Sequence, residues 1–401
     1  MTTQFVATCF AVLAMALCPA NRVDAQVKRL DRLMVQTMSK FDLPGGQLAV
    51  VKDGRLVHSR GYGYADLERR KRVRTNSLFR LGSVSKTITQ IAILTLVDQG
   101  KLRLEDRAFR LLESLKPPAG SAPDSRLADI TVMHLLKHQG GWDGSVEPMF
   151  LPWSRKAAEV LGVPEPATCE TIIRYMMSRP LDYAPGARII YSNFGYCVLG
   201  RIIERASGMP YEEYVQRAVL TPAGIHDMRI GGTRLQERAP REVRYYHQTK
   251  QTELSYLTAS VYPKEGEVPW AYGGYYLRAT DSHGGWIGSA EDIVRIASSI
   301  DGQRGKALLS PASVNVMMNL PRKESEQEPV GSRFHVSHAG ALQGSGSALL
   351  DRRREGISIG FTFNSLPVNY MEFFEYMMGE IDRALPEILE KDWPTGDRFR
   401  R

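Results

Sequence analysis

The most apolar helical pattern in the chain is Ile88, Ile91, Ala92, Leu94, Leu96 and Val97. It leaves no clean polar face and so predicts a helix buried on nearly all sides. Gly82 breaks the chain before this run and Gly100 ends it, which places the helix from about Val84 to Gln99. Upstream, Val27 to Phe41 carries Leu30, Leu33, Met34 and Met38 on one face, an amphipathic helix. The pattern then changes to that of strands. Gln47 to Val51, the turn Lys52-Asp53-Gly54 and Arg55 to His58 read as a β-hairpin with Asp-Gly as its turn signal, and Gly61 to Asp66 continues as irregular strand.

From Leu102 to Ile230 the spacing is helical, with loops rich in Pro and Gly at Lys116 to Pro123 and Gly162 to Ala167. Helices are expected over Ile130 to Lys137 after Asp129 as cap, Cys169 to Met177 after Thr168, Phe194 to Ala206, and Pro210 to Val219. Tyr272 to Leu277 reads as a strand, and Ala290 to Ile300 as a helix started by Ser289. Strands return at Phe334 to Val336, Gly346 to Leu350 and Gly356 to Phe363, the last two around a turn at Asp351 to Glu355. A helix from about Met371 to Leu385 closes the chain. Strands at both ends with helices between predict an α/β (α+β) fold: an antiparallel sheet built from both chain ends and flanked by helices, with an inserted, mostly α-helical lobe. The catalytic-size domain spans 26–390, its α/β lobe taking about 26–82 and 270–390 and its helical lobe about 83–230, with 391–401 as a tail.

Composition adds little to this outline but removes several functions. The 401 residues are 43% hydrophobic and 24% charged, enough for a sizeable core. The net charge of +8 is spread among acids. The densest basic stretches, Arg69 to Arg74 and Arg352 to Arg354, read as solvated turns, and without interleaved aromatic residues they argue against nucleic-acid binding. Residues 1–25 look like an export signal: an apolar run from Phe5 to Cys18, too short to span a bilayer, then Val23-Asp24-Ala25 with small residues around a cleavage point. Its start lacks Lys or Arg, and bulky Leu17 before Cys18 argues against lipid attachment. The expected location is therefore periplasmic or secreted, with no stable membrane span after signal removal. Cys169 and Cys197 would remain, either paired or as buried thiols, and no spacing suggests zinc or another cofactor.

Candidate chemistry lies at three places. Ser83 stands three positions before Lys86 at the mouth of the apolar helix, so hydroxyl and amine share one side of it. A desolvated primary amine can take the hydroxyl proton and create a nucleophile. In Tyr191-Ser192-Asn193 a phenol and a carboxamide two residues apart can aim at one point, or Tyr191 can simply pack at a helix start capped by Asn193. In Ser337-His338-Ala339-Gly340-Ala341 a glycine on a strand edge admits a substrate backbone, and the Ala341 amide can join that of Ser83 in holding an oxyanion.

The ordered triple Ser-x-x-Lys, Tyr-x-Asn and His-x-Gly resembles the serine β-lactamase and penicillin-binding-protein superfamily. It is most similar to class C-like members such as D-alanyl-D-alanine peptidases and esterases of β-lactamase fold. Ser77 to Ser83, Ile130 to His138, Tyr191 to Tyr196 and Ser289 to Asp292 are similar to phrases of that superfamily in the same order, over roughly Leu30 to Leu385. The resemblance implies an acyl-enzyme on Ser83, with Lys86 and Tyr191 sharing its proton and the amides of Ser83 and Ala341 holding the oxyanion. Asn193 would position Lys86 and the substrate amide, and His338 and Gly340 would flank the cleft. It implies no cofactor and no metal, and as partner a small-molecule or peptide acyl substrate.

Two departures bear on specificity. Efficient β-lactamases of this shape usually carry Lys-Thr-Gly at the third motif, whereas here His338 replaces the Lys, Ala339 the hydroxyl residue, and Ala341 the following Gly. A neutral imidazole offers no fixed charge to a substrate carboxylate, so ester or peptide cleavage is expected over drug hydrolysis. His134 and His138, one helical turn apart, lack the Glu of a His-Glu-x-x-His zinc motif and are expected to pack. No Gly-x-Ser-x-Gly elbow supports a Ser-His-Asp hydrolase. The alternative from another class is a catalytically inactive binding protein of the same fold.

Overall fold

A computed structural model describes residues 19–144, 153–247, 257–321, 336–352, 355–389, 393 and 396–399. The first helix, α1 (Pro19–Lys40), begins upstream of the sequence-based boundary, because Pro19 is tolerated in a first helical turn and nothing breaks the pattern until Pro44-Gly45. The expected cleavage point after Ala25 therefore falls within a helix, while residues 1–18 of the expected signal lie outside the described residues. Strands β1 (Gly45–Lys52) and β2 (Arg55–Asp66) form the expected hairpin around Asp53-Gly54, both at positive φ, and β3 (Lys71–Arg72) follows. Then come β4 (Phe79–Arg80), the buried helix α2 (Ser85–Asp98), and in the helical lobe α3 (Val132–Leu136), α4 (Cys169–Met176) and α5 (Asn193–Ser207). The chain returns through β5 (Arg229–Ile230), β6 (Trp286–Gly288) and α6 (Ala290–Ser299). It closes with β7 (Val336–Leu342), β8 (Ser345–Arg352), β9 (Ile357–Phe363) and α7 (Tyr370–Leu389).

The main sheet runs β7-β8-β9-β1-β2-β3 and is antiparallel throughout, so the two chain ends meet where Val50 of β1 pairs with Ile359 of β9. One face packs Phe361 and Phe363 under Leu30 and Met34 of α1 and Phe373 and Met377 of α7. On the other face Ala49 and Val51 lie under Ala290 and Val294 of α6. These side chains alternate along the strands as a sheet covered on both faces requires. The helical lobe packs around α2, twelve of whose residues are buried, and this explains why the sequence shows no polar face there.

Two expectations need correction. Tyr272 to Leu277 forms no strand; short 3₁₀ turns at Trp270–Tyr272 and Leu277–Thr280 flank Gly273, whose φ of +127° ends extended pairing. The cap of α3 is Thr131, whose Oγ1 accepts the His134 amide while His134 Nδ1 accepts the Thr131 amide, and Asp129 instead ends a preceding 3₁₀ turn. The helix expected from about Val84 to Gln99 is found as α2, capped at Val84 and Gln99 and preceded by a 3₁₀ turn over Gly82–Val84. Of the returning strand, Phe334 and residue 335 lie outside the described residues, as do Arg353 and Arg354 of the second basic stretch. Cys169 and Cys197, left open by the sequence, are joined as a disulfide between α4 and α5.

Two buried polar groups brace the elements around the site. On β2 the His58 Nε2 lies 3.2 Å from the Tyr62 hydroxyl, which donates to Asp31 of α1 at 2.7 Å. Burial is the largest influence on His58 and holds it down to about 4, with Arg398 and Arg60 acting in the same direction and Asp31 against it. The unfolded imidazole takes its proton near pH 6.5 but the folded one only near 4, so this contribution is present above 6.5 and is lost as pH falls between those values. Denaturant unfolding at pH 7.5 and 4.5 should show a loss from this group of about 3 kcal/mol, smaller by that amount in His58→Gln.

The second group is Arg80 of β4. Its guanidinium donates to the Ala271 carbonyl at 2.5 Å, the Gly232 carbonyl at 2.9 Å and the Tyr275 hydroxyl at 3.0 Å, and stacks 4.4 Å from the Tyr245 ring centroid. Arg80→Leu strips three acceptors of their donor, the buried Tyr275 hydroxyl and two partly buried carbonyls, and removes the cation facing buried Glu242. It should lower unfolding free energy by about 3 kcal/mol, read as a fall in thermal midpoint with the far-ultraviolet spectrum retained.

Candidate active site

Ser83 is presented by a backbone fixed on both sides. The Leu81 amide donates to the Trp286 carbonyl of β6 at 2.9 Å, and the Leu81 carbonyl accepts the Ser347 hydroxyl of β8 at 2.7 Å. The Arg80 carbonyl accepts the Ser345 hydroxyl at 2.6 Å, and Ser85 Oγ accepts the Trp286 amide at 3.3 Å. Gly82, at φ +49°, turns the chain from β4 into α2 and leaves Ser83 half-buried at the seam of the two lobes.

Lys86 follows one turn later and is fully buried. Its Nζ lies 3.2 Å from Ser83 Oγ, 2.7 Å from Asn193 Oδ1 and 3.0 Å from the His283 main-chain carbonyl. Tyr191 donates its hydroxyl to the same Ser83 Oγ at 2.7 Å, and its ring centroid is 4.7 Å from Lys86 Nζ. Of the residues expected from the sequence, Lys86 and Tyr191 thus converge on the Ser83 hydroxyl, and Asn193 joins them through Lys86. The cap of α5 is Ser192, whose Oγ accepts the Gly195 amide, so the Asn193 carboxamide serves the lysine instead.

The third expected motif lies on β7, the edge strand. A Cβ added to Gly340 would stand 2.0 Å from the Leu81 carbonyl oxygen, and one on Gly82 would stand 3.0 Å from the Ala341 amide nitrogen. The strand therefore runs directly against the segment that carries Ser83, bringing the Ala341 amide beside the Ser83 turn. His338, half-buried, shares the face of β7 on which Gly340 lies, two residues along. Ala339, in the place of the hydroxyl residue, is exposed. Gly340→Ala should push β7 off this turn and lower kcat/KM for an ester by about 10²-fold while the protein stays folded, as steady-state kinetics beside circular dichroism would show.

Two histidines at the site escaped the sequence reading as functional residues. His138, with φ of +56°, accepts the Ser192 amide on Nδ1 at 3.1 Å and stacks on Tyr191 with centroids 4.7 Å apart, so it fixes the loop that carries the phenol. His134 caps the start of α3 with Thr131, whereas His138 lies past the end of that helix and packs on Tyr191 and Tyr196. His283 supplies a carbonyl to Lys86, while its fully buried ring is held well below the ordinary imidazole range by burial, with the Lys86 and Arg201 cations adding to this. A main-chain acceptor leaves no mark in a sequence, and only the phrase around His138 gave any signal.

An antiparallel sheet built from both chain ends, carrying a helical lobe with Ser, Lys and Tyr meeting at the seam, is the architecture of the β-lactamase and transpeptidase class. The family model described as Beta-lactamase matches residues 30–372, and the chain belongs to that family. Among curated relatives it is 32% identical over 209 residues to the esterase EstB of Burkholderia gladioli, covering 50% of each chain. It is 28% identical over 215 residues to penicillin-binding protein 4* of Bacillus subtilis, covering 53% of this chain and 43% of that one. The chain thus spans about half the length of these relatives. Among solved structures, a D-amino acid amidase from Ochrobactrum anthropi superposes with a TM-score of 0.67 at 21% identity, over 92% of this chain and all of that one. An octameric penicillin-binding protein homologue from Pyrococcus abyssi gives 0.66 at 23% identity, over 92% and 79%. At these identities the solved structures establish the shared fold.

Proposed function

We propose that the protein is a serine hydrolase that cleaves an ester or amide through an acyl-enzyme on Ser83. The observation that carries this reading is the pair of proton-exchanging groups on one hydroxyl oxygen, Tyr191 at 2.7 Å and Lys86 at 3.2 Å. A neutral amine has two N–H groups and one lone pair. Lys86 Nζ lies against the Asn193 and His283 carbonyl oxygens as well as Ser83 Oγ, so an amine that has released one proton keeps two N–H groups for those oxygens and turns its lone pair to the Ser83 hydroxyl.

Ser83 Oγ then forms its bond to the acyl carbon as the proton passes to Lys86 or Tyr191, and the same pair returns it to the departing alcohol or amine. The amides of Ser83 and Ala341 hold the oxyanion, and Asn193 keeps Lys86 aligned. Water then breaks the acyl–oxygen bond and regenerates the hydroxyl. His338 flanks the leaving side of the cleft without a fixed charge, which favours neutral esters and peptides over anionic β-lactams. The esterase and penicillin-binding relatives support the same substrate range, and the leader-like residues 1–25 support export to the periplasm or medium. No helix of the described residues is long and apolar enough to cross a membrane.

A side-by-side panel tests the substrate class: p-nitrophenyl butyrate, a D-alanyl-D-alanine peptide, a D-amino-acid amide and a cephalosporin. Turnover of the ester, with the cephalosporin slowest, is the expected order. A protein that turns over none of them but binds peptide or peptidoglycan would move the reading to the inactive binding descendant.

A further inference from the structure

Five of the six residues from Arg69 to Arg74 are cationic, and in isolation this stretch reads as a solvated turn. In the fold it faces a second basic series. Arg69 and Lys71, at the turn from β2 into β3, line a cavity of about 470 Å³ whose other wall carries Arg238, Arg241 and Arg244. Two sequence-distant basic segments are therefore held around one concave space. Like charges gathered in this way repel, a cost that a bound anion would remove.

Four acids, Asp66, Glu68, Asp227 and Glu242, stand against these five cations, which leaves the positive charge in slight excess. Asp66 and Glu242 line the cavity but are buried and already engaged: Asp66 Oδ1 accepts the Arg69 amide at 3.0 Å, and Glu242 accepts the Ala239 amide at 2.8 Å and the Tyr245 hydroxyl at 2.9 Å. Arg238 pairs with Asp66 at 3.6 Å, Arg241 with Asp227 at 2.5 Å and Arg244 with Glu68 at 3.5 Å, the last two acids half-exposed and screened by water. Arg69 and Lys71 have no acid partner among the described residues, and the buried Nε of Arg238 has no hydrogen-bond partner there. The cavity sits at the β3 edge of the sheet, whereas Ser83 lies against β7 at the opposite edge.

We infer that this cavity binds a compact polyanion carrying two or more phosphate or carboxylate groups. Guanidinium forks match both oxyanions with paired hydrogen bonds, and the volume suits a small molecule rather than a polymer. The inference is independent of the acyl-transfer reading, since it uses none of the residues placed around Ser83.

Isothermal titration of the full chain with tripolyphosphate, citrate and inorganic phosphate, at a constant ionic strength of about 0.15 M, tests it. Tripolyphosphate or citrate should saturate one site, the tighter of the two assigning phosphate or carboxylate, and single phosphate should bind about tenfold more weakly or worse. The exposed pair Arg69→Gln and Lys71→Gln should weaken the tighter ligand by about tenfold or more, while the remote pair Lys101→Gln and Lys116→Gln leaves it unchanged. Thermal melts confirm that both variants fold. Absence of saturation by either polyanion, unchanged binding in the first pair, or equal weakening in both pairs would overturn the assignment.

Discussion

Ser83→Ala should abolish ester hydrolysis, lowering kcat/KM by about 10⁴-fold or more while the thermal midpoint barely moves. The expectation follows from the geometry around one oxygen. Tyr191 and Lys86 both point at Ser83 Oγ, and the turn that carries it is held by hydrogen bonds from β6 and β8. Removing that oxygen leaves two proton carriers with no nucleophile between them. The cost to stability is small, because Ser83 is half-buried and its hydroxyl bonds to the Tyr191 and Lys86 side chains. Stopped assays with p-nitrophenyl butyrate, read beside melting curves, separate this outcome from unfolding.

Tyr191→Phe and Lys86→Ala should each cost about 10³-fold in kcat, and the double variant should cost little more than the worse single one. Groups that pass one proton act as a unit, so deleting the second after the first removes nothing further. Tyr191→Phe is the cleaner of the two: its ring can keep the 4.7 Å stack on His138 while only the hydroxyl is lost. Lys86→Ala also leaves the Asn193 and His283 oxygens without their donor, so it should lose stability of about 1–3 kcal/mol as well. Pre-steady-state acylation rates for the three variants distinguish shared proton transfer from independent roles, for which the two penalties would multiply.

Much of this site was legible before any coordinates, because its central pair is local. Ser83 and Lys86 are one helical turn apart, and a helix without a polar face announces its own burial. Strand alternation and an Asp-Gly turn likewise marked the β1–β2 hairpin, and matching alternation near the other end marked β8 and β9. What could not be read was contact carried by main chain or by distant shape. Neither the His283 carbonyl on Lys86 nor the close packing of Gly340 against the Leu81 carbonyl, where a Cβ would stand 2.0 Å away, has a sequence signature. The Tyr272 to Leu277 misreading has a physical cause too: aromatic residues favour strands, but here Tyr272 accepts the Tyr245 amide and Tyr275 accepts Arg80, roles that suit a turn around Gly273. The basic turn at Arg69 shows the same limit, since its counterpart lies far along the chain.

Nucleophilic attack by the Ser83 hydroxyl is read most directly by peptide mapping by mass spectrometry after treatment with a fluorophosphonate, which loses fluoride to form a phosphonyl ester on the attacking oxygen. A single adduct is expected, on the peptide containing Ser83, formed far more slowly in Tyr191→Phe. An adduct on any other serine, or labelling of Ser83 at an undiminished rate when Lys86 and Tyr191 are both removed, would contradict it.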